Sequence, residues 1–199
     1  MRPADWTEPP NGSHSSWAPR TSARALLQET SAIDSAIHDA VAGTPTPTLD
    51  VAMSWISNAA TYSRIWVVIG AALALTGGER GRQTAIRGVT AIVTTSVTAD
   101  LLAKNLLPPR DRPVRSTPIA RRQARMPTSS SFPSGHAASA FAFATVVTAG
   151  FPRLSLPLYA LATSVGYSRV HMGVHYPSDV MGGAVLGLAV GTALRDTRS

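Results

Sequence analysis

The stretch Ser168-Arg169-Val170-His171-Met172-Gly173-Val174-His175-Tyr176-Pro177-Ser178-Asp179 concentrates groups suited to phosphoryl chemistry. An arginine can clamp a phosphate through its planar fork. A neutral histidine can attack phosphorus, and an aspartate four residues on can hold that histidine in one tautomer. A second histidine stands in Pro133-Ser134-Gly135-His136, again at the opening of an apolar stretch. Two imidazoles and an arginine beside apolar, glycine-rich segments point to phosphoryl chemistry at a membrane.

Composition narrows the partners. The chain has 199 residues and no cysteine, which excludes disulfides, thiolate zinc sites and cysteine nucleophiles. Charged residues make up 15%, low against about 25% in soluble domains. The net charge of +7 suits an anionic lipid or a phosphorylated substrate. Nucleic acid is not expected, because the arginines lie in loops and no basic helix with interleaved aromatics occurs. The 18 basic residues include a single lysine, Lys104, near the end of an apolar segment.

The elements that must carry these residues are helical. Residues 1–20 are rich in Pro, Ser, Gly and Asn and read as a disordered tail. In 21–42, Leu26, Ile33, Ile37 and Val41 recur at helical spacing, with Glu29, Asp34 and Asp39 on the polar face. That acidity argues for an amphipathic helix packed on the protein rather than on anionic headgroups. Thr44-Pro45-Thr46-Pro47-Thr48 reads as an extended connector, so 21–50 forms helix plus connector and 51–196 the membrane domain. Five apolar segments follow, at about 55–76, 84–107, 135–151, 154–170 and 178–194. A span needs about 20 helical residues; the last three are slightly short, and a soluble bundle of buried helices is the competing architecture. Gly183, Gly187 and Gly191 favour the membrane reading, since small residues at four-residue intervals let helices approach closely in lipid. The expected fold is all-α, a transmembrane bundle of about five spans plus the N-terminal amphipathic helix. Helix alternation then brings Lys104, His136, Arg169 and Asp179 to one face, with the connection 77–83 and the turn near Arg153 on the other.

The motifs resemble those of the type 2 phosphatidic acid phosphatase family, whose soluble relatives include acid phosphatases and vanadium haloperoxidases. Its Ser-Arg-x5-His-x3-Asp motif is matched by Ser168-Arg169, His175 and Asp179, and its Pro-Ser-Gly-His motif by residues 133–136. The Lys-x6-Arg-Pro motif is matched with one extra residue, from Lys104 to Arg112-Pro113, which leaves Arg110 as a competitor for the role of Arg112. The resemblance implies that His175 attacks phosphorus, that Asp179 holds its other ring N–H, and that His136 protonates the leaving oxygen and then activates water. It implies phosphate binding by Lys104, Arg112 and Arg169, with backbone N–H groups of Ser134 and Gly135 as added donors.

Several residues lie outside the motifs. Asp100 either holds the Lys104 ammonium or is an interfacial acid at a helix end. His171 is expected at the pocket mouth or in solvent, and Arg121-Arg122-Gln123-Ala124-Arg125 in a solvated or headgroup-facing loop. No carboxylate cluster offers a magnesium or calcium site, and the histidines beside an arginine suit an anion better than a metal, so no metal or cofactor is expected. The expected activity is metal-independent hydrolysis of a phosphomonoester or diphosphate on a membrane lipid: polyprenyl phosphate or diphosphate, polyprenyl-sugar phosphate, or phosphatidate. A soluble-type acid phosphatase with the same site and a non-catalytic membrane scaffold are the alternatives. Arginines stand on both faces, Arg80, Arg82, Arg87, Arg153, Arg195 and Arg198 on one and those of the 110–125 loop on the other, and the positive-inside rule does not separate them cleanly; discounting the ligand arginines favours a cytoplasmic C-terminus. The expected location is therefore the cell membrane, multi-pass, with an extracytoplasmic site.

Overall fold

A computed structural model describes residues 23–113 and 128–195, without the side chains of Ala23, Arg24 and Lys104. The expected tail 1–20 and the Arg121–Arg125 loop lie outside the described residues. Among the described residues the secondary structure is helical throughout, with no strand. The α-helices are α1 Ala23–Gly43, α2 Pro47–Ala60, α3 Arg64–Thr76, α4 Gly78–Leu101, α5 Gly135–Gly150, α6 Ser155–His171 and α7 Pro177–Leu194.

α5 is the axis of the bundle, packed against α4, α6 and α7. Its run of small residues explains that place: Ala137, Ala138, Ala140, Ala142 and Ala144 are buried, and Phe143 fills the space between them and Trp66 of α3. A helix buried on all sides carries no polar stripe. α7 meets it through the glycine face read from the sequence. A Cβ at Gly187 would stand 2.2 Å from the Ala138 carbonyl oxygen, so only glycine permits this approach.

The apolar segments 135–151, 154–170 and 178–194 coincide with α5, α6 and α7. The other boundaries move. Segment 55–76 is not one helix: it divides into α2 and α3 at Thr61–Ser63, where Tyr62 and Ser63 take positive φ values of 53° and 57°. The connector after α1 is shorter than expected, because Pro47 begins α2; proline's fixed φ and missing N–H suit a helix start. The connection 77–83 is also largely helical, since Gly78, at φ +60°, completes the turn and α4 begins there. α4 ends in one π-helical turn, Leu102–Leu106, that contains Lys104. π-turns inside or at the end of α-helices recur at functional sites.

α1 packs with the face opposite to the one its pattern suggests. Asp34, His38 and Ala42 form its buried stripe, while Leu26, Leu27, Ile33 and Ile37 are exposed. The acid thought to lie on the outward polar face thus points inward, where it meets Arg110. Outward apolar side chains also cover the bundle, among them Val67 and Val68 of α3, Val93 and Val97 of α4, and Met181 and Val185 of α7. By length and composition, Pro47–Thr76 and Pro177–Leu194 are apolar enough to cross a membrane, and little of either is buried. At the far end Arg80 of α4 lies over the Phe151 ring at 5.7 Å, joining the start of α4 to the α5–α6 turn.

Candidate active site

One end of the bundle encloses a cavity of about 340 Å³. His136 enters it from the first turn of α5, Arg169 from the last turn of α6, His175 from the loop before α7, and Arg112 from the segment after the π-turn. Ser96, Ala99, Asp100 and Ala103 form the α4 wall, and Tyr62, Ser63 and Trp66 the wall at the α2–α3 break. His136, Arg169 and His175 thus meet at one end of the bundle. Lys104 follows Ala103 on the lining turn, and its side chain lies outside the description.

Arg112 is the most constrained of these groups. Its Nε donates to the Ser129 carbonyl (3.1 Å), its Nη1 to the Val174 carbonyl (2.9 Å) and its Nη2 to the Ser130 carbonyl (3.1 Å). Nη1 also stands 3.2 Å from His175 Nε2. A guanidinium has donors only, so that contact requires a lone pair on Nε2 and places the ring proton of neutral His175 on Nδ1. Nδ1 faces Asp179 Oδ2 at 3.6 Å, beyond hydrogen-bond length. Burial lowers the pKa of His175 below that of an ordinary imidazole; Asp179 opposes that shift, and Arg112 and Arg169 add to it. The ring is therefore neutral at neutral pH.

Asp179 sits behind His175 and does not line the cavity. Its Oδ2 accepts the Ser131 hydroxyl and, at 2.8 Å, the Tyr176 N–H, and its Oδ1 accepts Arg110 Nη1 at 2.8 Å. This geometry separates the two candidate arginines. Arg112 enters the cavity, while Arg110 turns away to Asp179, Ser178 and Asp34 and lies over the Tyr176 ring at 4.7 Å. Arg169 is buried and donates to Ser57 Oγ at 2.5 Å. Among the described residues, Arg169 Nε and His136 Nε2 have no hydrogen-bond partner.

Two expectations need correction. The Ser134 N–H is not open to a ligand, because it donates to the Asp179 backbone carbonyl at 2.9 Å and ties the starts of α5 and α7 together. Gly135, in the first turn of α5, does line the cavity; N–H groups of a first turn lack an intrahelical acceptor. His171 is neither at the mouth nor in solvent. It is buried, and its Nε2 meets Asp50 Oδ1 at 2.7 Å, because the last turn of α6 lies against the start of α2. Asp100 lines the cavity one turn before Lys104. Sequence reasoning missed Ser57, Ser131 and the inward role of Asp34, since single hydroxyls and one acid on an exposed-looking face carry no spacing signal.

The PAP2 superfamily model matches residues 85–198, more than half of the chain and the whole of the cavity's α4–α7 side. The chain belongs to the PAP2 superfamily. Among its relatives, the decaprenylphosphoryl-5-phosphoribose phosphatase of Mycobacterium tuberculosis is 34% identical over 128 residues, 63% of this chain and 67% of that protein. The lipid A 1-phosphatase of Rhizobium etli is 44% identical over 57 residues, 29% of this chain, and the match spans only 25% of that protein. The crystal structure of a transmembrane PAP2-type phosphatidylglycerolphosphate phosphatase from Bacillus subtilis superposes with a TM-score of 0.61 at 25% identity, covering 83% of this chain and 84% of that one. The outward apolar faces of α3, α4 and α7 fit this PAP2 kinship with membrane proteins.

Proposed function

We propose that this PAP2 protein is a multi-pass membrane phosphatase that hydrolyses a phosphomonoester or diphosphate on a lipid through a phosphohistidine on His175. The observation that carries the reading is the convergence of Arg112, Arg169, His136 and His175 on one cavity.

In this mechanism the phosphoryl group enters between the two guanidinium groups, which draw charge from its equatorial oxygens, with Lys104 as third cation and the Gly135 N–H as a further donor. The Nε2 lone pair of His175 attacks phosphorus while His136 gives a proton to the leaving oxygen. As the ring becomes cationic, Asp179 stabilises it through Nδ1–H. Catalytic hydrogen bonds that are long in the free enzyme commonly tighten at this stage. His136 then takes a proton from water, the water oxygen attacks phosphorus, the N–P bond breaks, and phosphate leaves. No step calls for a metal.

The α2–α3 stretch and α4–α7 are read as the five crossings, with residues 51–196 as the membrane domain and the cavity at the extracytoplasmic headgroup plane. Among candidate lipids, polyprenyl-linked phosphates come first, because the M. tuberculosis relative with the longer match is named for such a substrate.

The test is phosphate release from polyprenyl phosphate, polyprenyl diphosphate, a polyprenyl-sugar phosphate and phosphatidate, with and without chelator, for wild type and His175→Ala. Release unaffected by chelator and abolished in the variant is expected, with acid-labile phosphate trapped on the wild type alone. Turnover by His175→Ala would reject the nucleophile, and loss of wild-type turnover with chelator would reject the metal-free route. A reporter fused to the C-terminus reads the sidedness.

A further inference from the structure

α1 carries none of the family motifs, yet it delivers a buried acid to the back of the site. Asp34 is 2% exposed. It accepts from Arg110 Nη2 at 2.5 Å, from the Ser178 N–H at 2.9 Å and from the Ser178 hydroxyl at 2.5 Å. The same guanidinium gives Nη1 to Asp179 Oδ1 at 2.8 Å. One arginine is thus shared between two buried carboxylates, one on α1 and one behind His175.

This arrangement goes beyond anchoring a helix. An anchoring pair needs one acid and one base. Here Asp34 holds the arginine that also holds Asp179, and through the Ser178 N–H it binds the first turn of the helix bearing Asp179. Without Asp34, the full charge of Arg110 would fall on Asp179 and weaken that carboxylate as the acceptor for His175 Nδ1–H. Buried charges are costly to leave unmatched, so the shared pair also fixes where Arg110 stands.

We propose that Asp34 is a positioning residue, which acts through Arg110 and Ser178 to set the charge and placement of Asp179 behind His175. The inference rests on the phosphohistidine reading above. It makes α1 part of the working site, although it touches no substrate.

The test uses the full chain in detergent micelles, as wild type, Asp34→Asn, Asp34→Glu, Ser178→Ala, Arg110→Gln and the Asp34→Asn/Arg110→Gln double variant. Two quantities are read: kcat and KM for phosphate release, and the ring-carbon NMR titration of His175. Asp34→Asn is expected to lower kcat about tenfold with little change in KM, about the worth of one hydrogen bond to a charged group. Asp34→Glu restores most of it, and Ser178→Ala costs about threefold, one hydrogen bond's worth. The double variant is worse than Arg110→Gln by no more than the roughly threefold share carried through Ser178, since the rest of the two effects lies on one path. The charged and titratable groups facing His175 are Arg112, Arg169, His136 and Asp179, and none is altered in Asp34→Asn. Removal of a nearby negative charge should therefore shift the His175 titration downward, by about half a pH unit.

A folded Asp34→Asn protein with unchanged kcat and an unchanged His175 titration would overturn the proposal. So would an effect confined to the unfolding temperature. Should Asp34→Asn not fold, Ser178→Ala with wild-type kcat and titration overturns it equally. A wild type that releases phosphate from no lipid defeats the proposed function instead, and the titration, which needs no turnover, still decides the role of Asp34.

Discussion

Arg112 Nη1 faces His175 Nε2 at 3.2 Å, and this contact orients the whole imidazole. The arginine has only protons to offer, so the ring must present a lone pair to the cavity and its N–H to Asp179. Arg112 in turn is held by the carbonyls of Ser129, Ser130 and Val174. In the proposed reaction the guanidinium therefore orients the attacking nitrogen as well as the site where the phosphoryl oxygens are to bind.

Replacing Arg112 separates charge from shape. A lysine keeps the charge but cannot reach three carbonyls and an imidazole at once. Arg112→Lys is expected to lower kcat/KM by about 10²–10³, close to the loss of a preorganised donor, with Arg112→Met at least as low. Steady-state kinetics on a phosphorylated lipid measures both. A lysine variant with near wild-type kcat/KM would show that charge alone suffices.

Burial holds the His175 pKa below the ordinary imidazole value of 6.5. As the proposed nucleophile, His175 must be neutral, and a depressed pKa keeps it neutral to lower pH. The acid limb of kcat/KM is thus expected below pH 6.5. The second ionisation of the substrate phosphate, near pH 6, is titrated separately and removed from the profile. An acid limb above 6.5 that follows the enzyme would contradict the buried, arginine-flanked setting of this ring.

The α5–α7 contact sets a stability prediction away from the chemistry. A Cβ on Gly187 would meet the Ala138 oxygen at 2.2 Å and the Ala142 nitrogen at 2.9 Å, both backbone atoms that cannot turn aside. Gly187→Ala is expected to destabilise the bundle by about 1–3 kcal/mol, as overpacking does. Gly43→Ala, where a Cβ meets nothing within 4 Å, is the control. Thermal unfolding in detergent should separate the two by several degrees, and equal melting temperatures would mean that the helices are not held this close.

What the sequence made legible was the family and the helices that bear its motifs. His136, Arg169 and His175 stand at helix ends or beside them, and the fold brings all three to one cavity. The break at Tyr62 and Ser63 was hidden, because positive φ in non-glycine residues is imposed by packing and leaves no mark in composition. α1 was misread for a related reason. Hydropathy predicts that its apolar face turns inward, but Asp34 finds Arg110 there and the apolar side chains remain outside. The choice between Arg110 and Arg112 was also beyond spacing. It depends on Asp34 and Asp179 drawing one arginine away while three carbonyls hold the other.

His171 and His175 lie one helical turn apart in sequence and make opposite predictions. His175 lines the cavity; His171 is buried against Asp50 and does not. Removing His171 leaves the Asp50 carboxylate without that partner and opens a gap between α2 and α6, so the unfolding temperature should fall. The chemistry should survive, because no atom of His171 borders the reacting group. His171→Asn is expected to keep kcat per folded molecule within about threefold of wild type, the loss of one ordinary hydrogen bond. His175→Asn should lose at least about 10³, as expected for a missing nucleophile. Both are measured as kcat normalised to the folded fraction from gel filtration. Equal losses in the two variants would place His171 in the reaction path and contradict the cavity's boundary at His175.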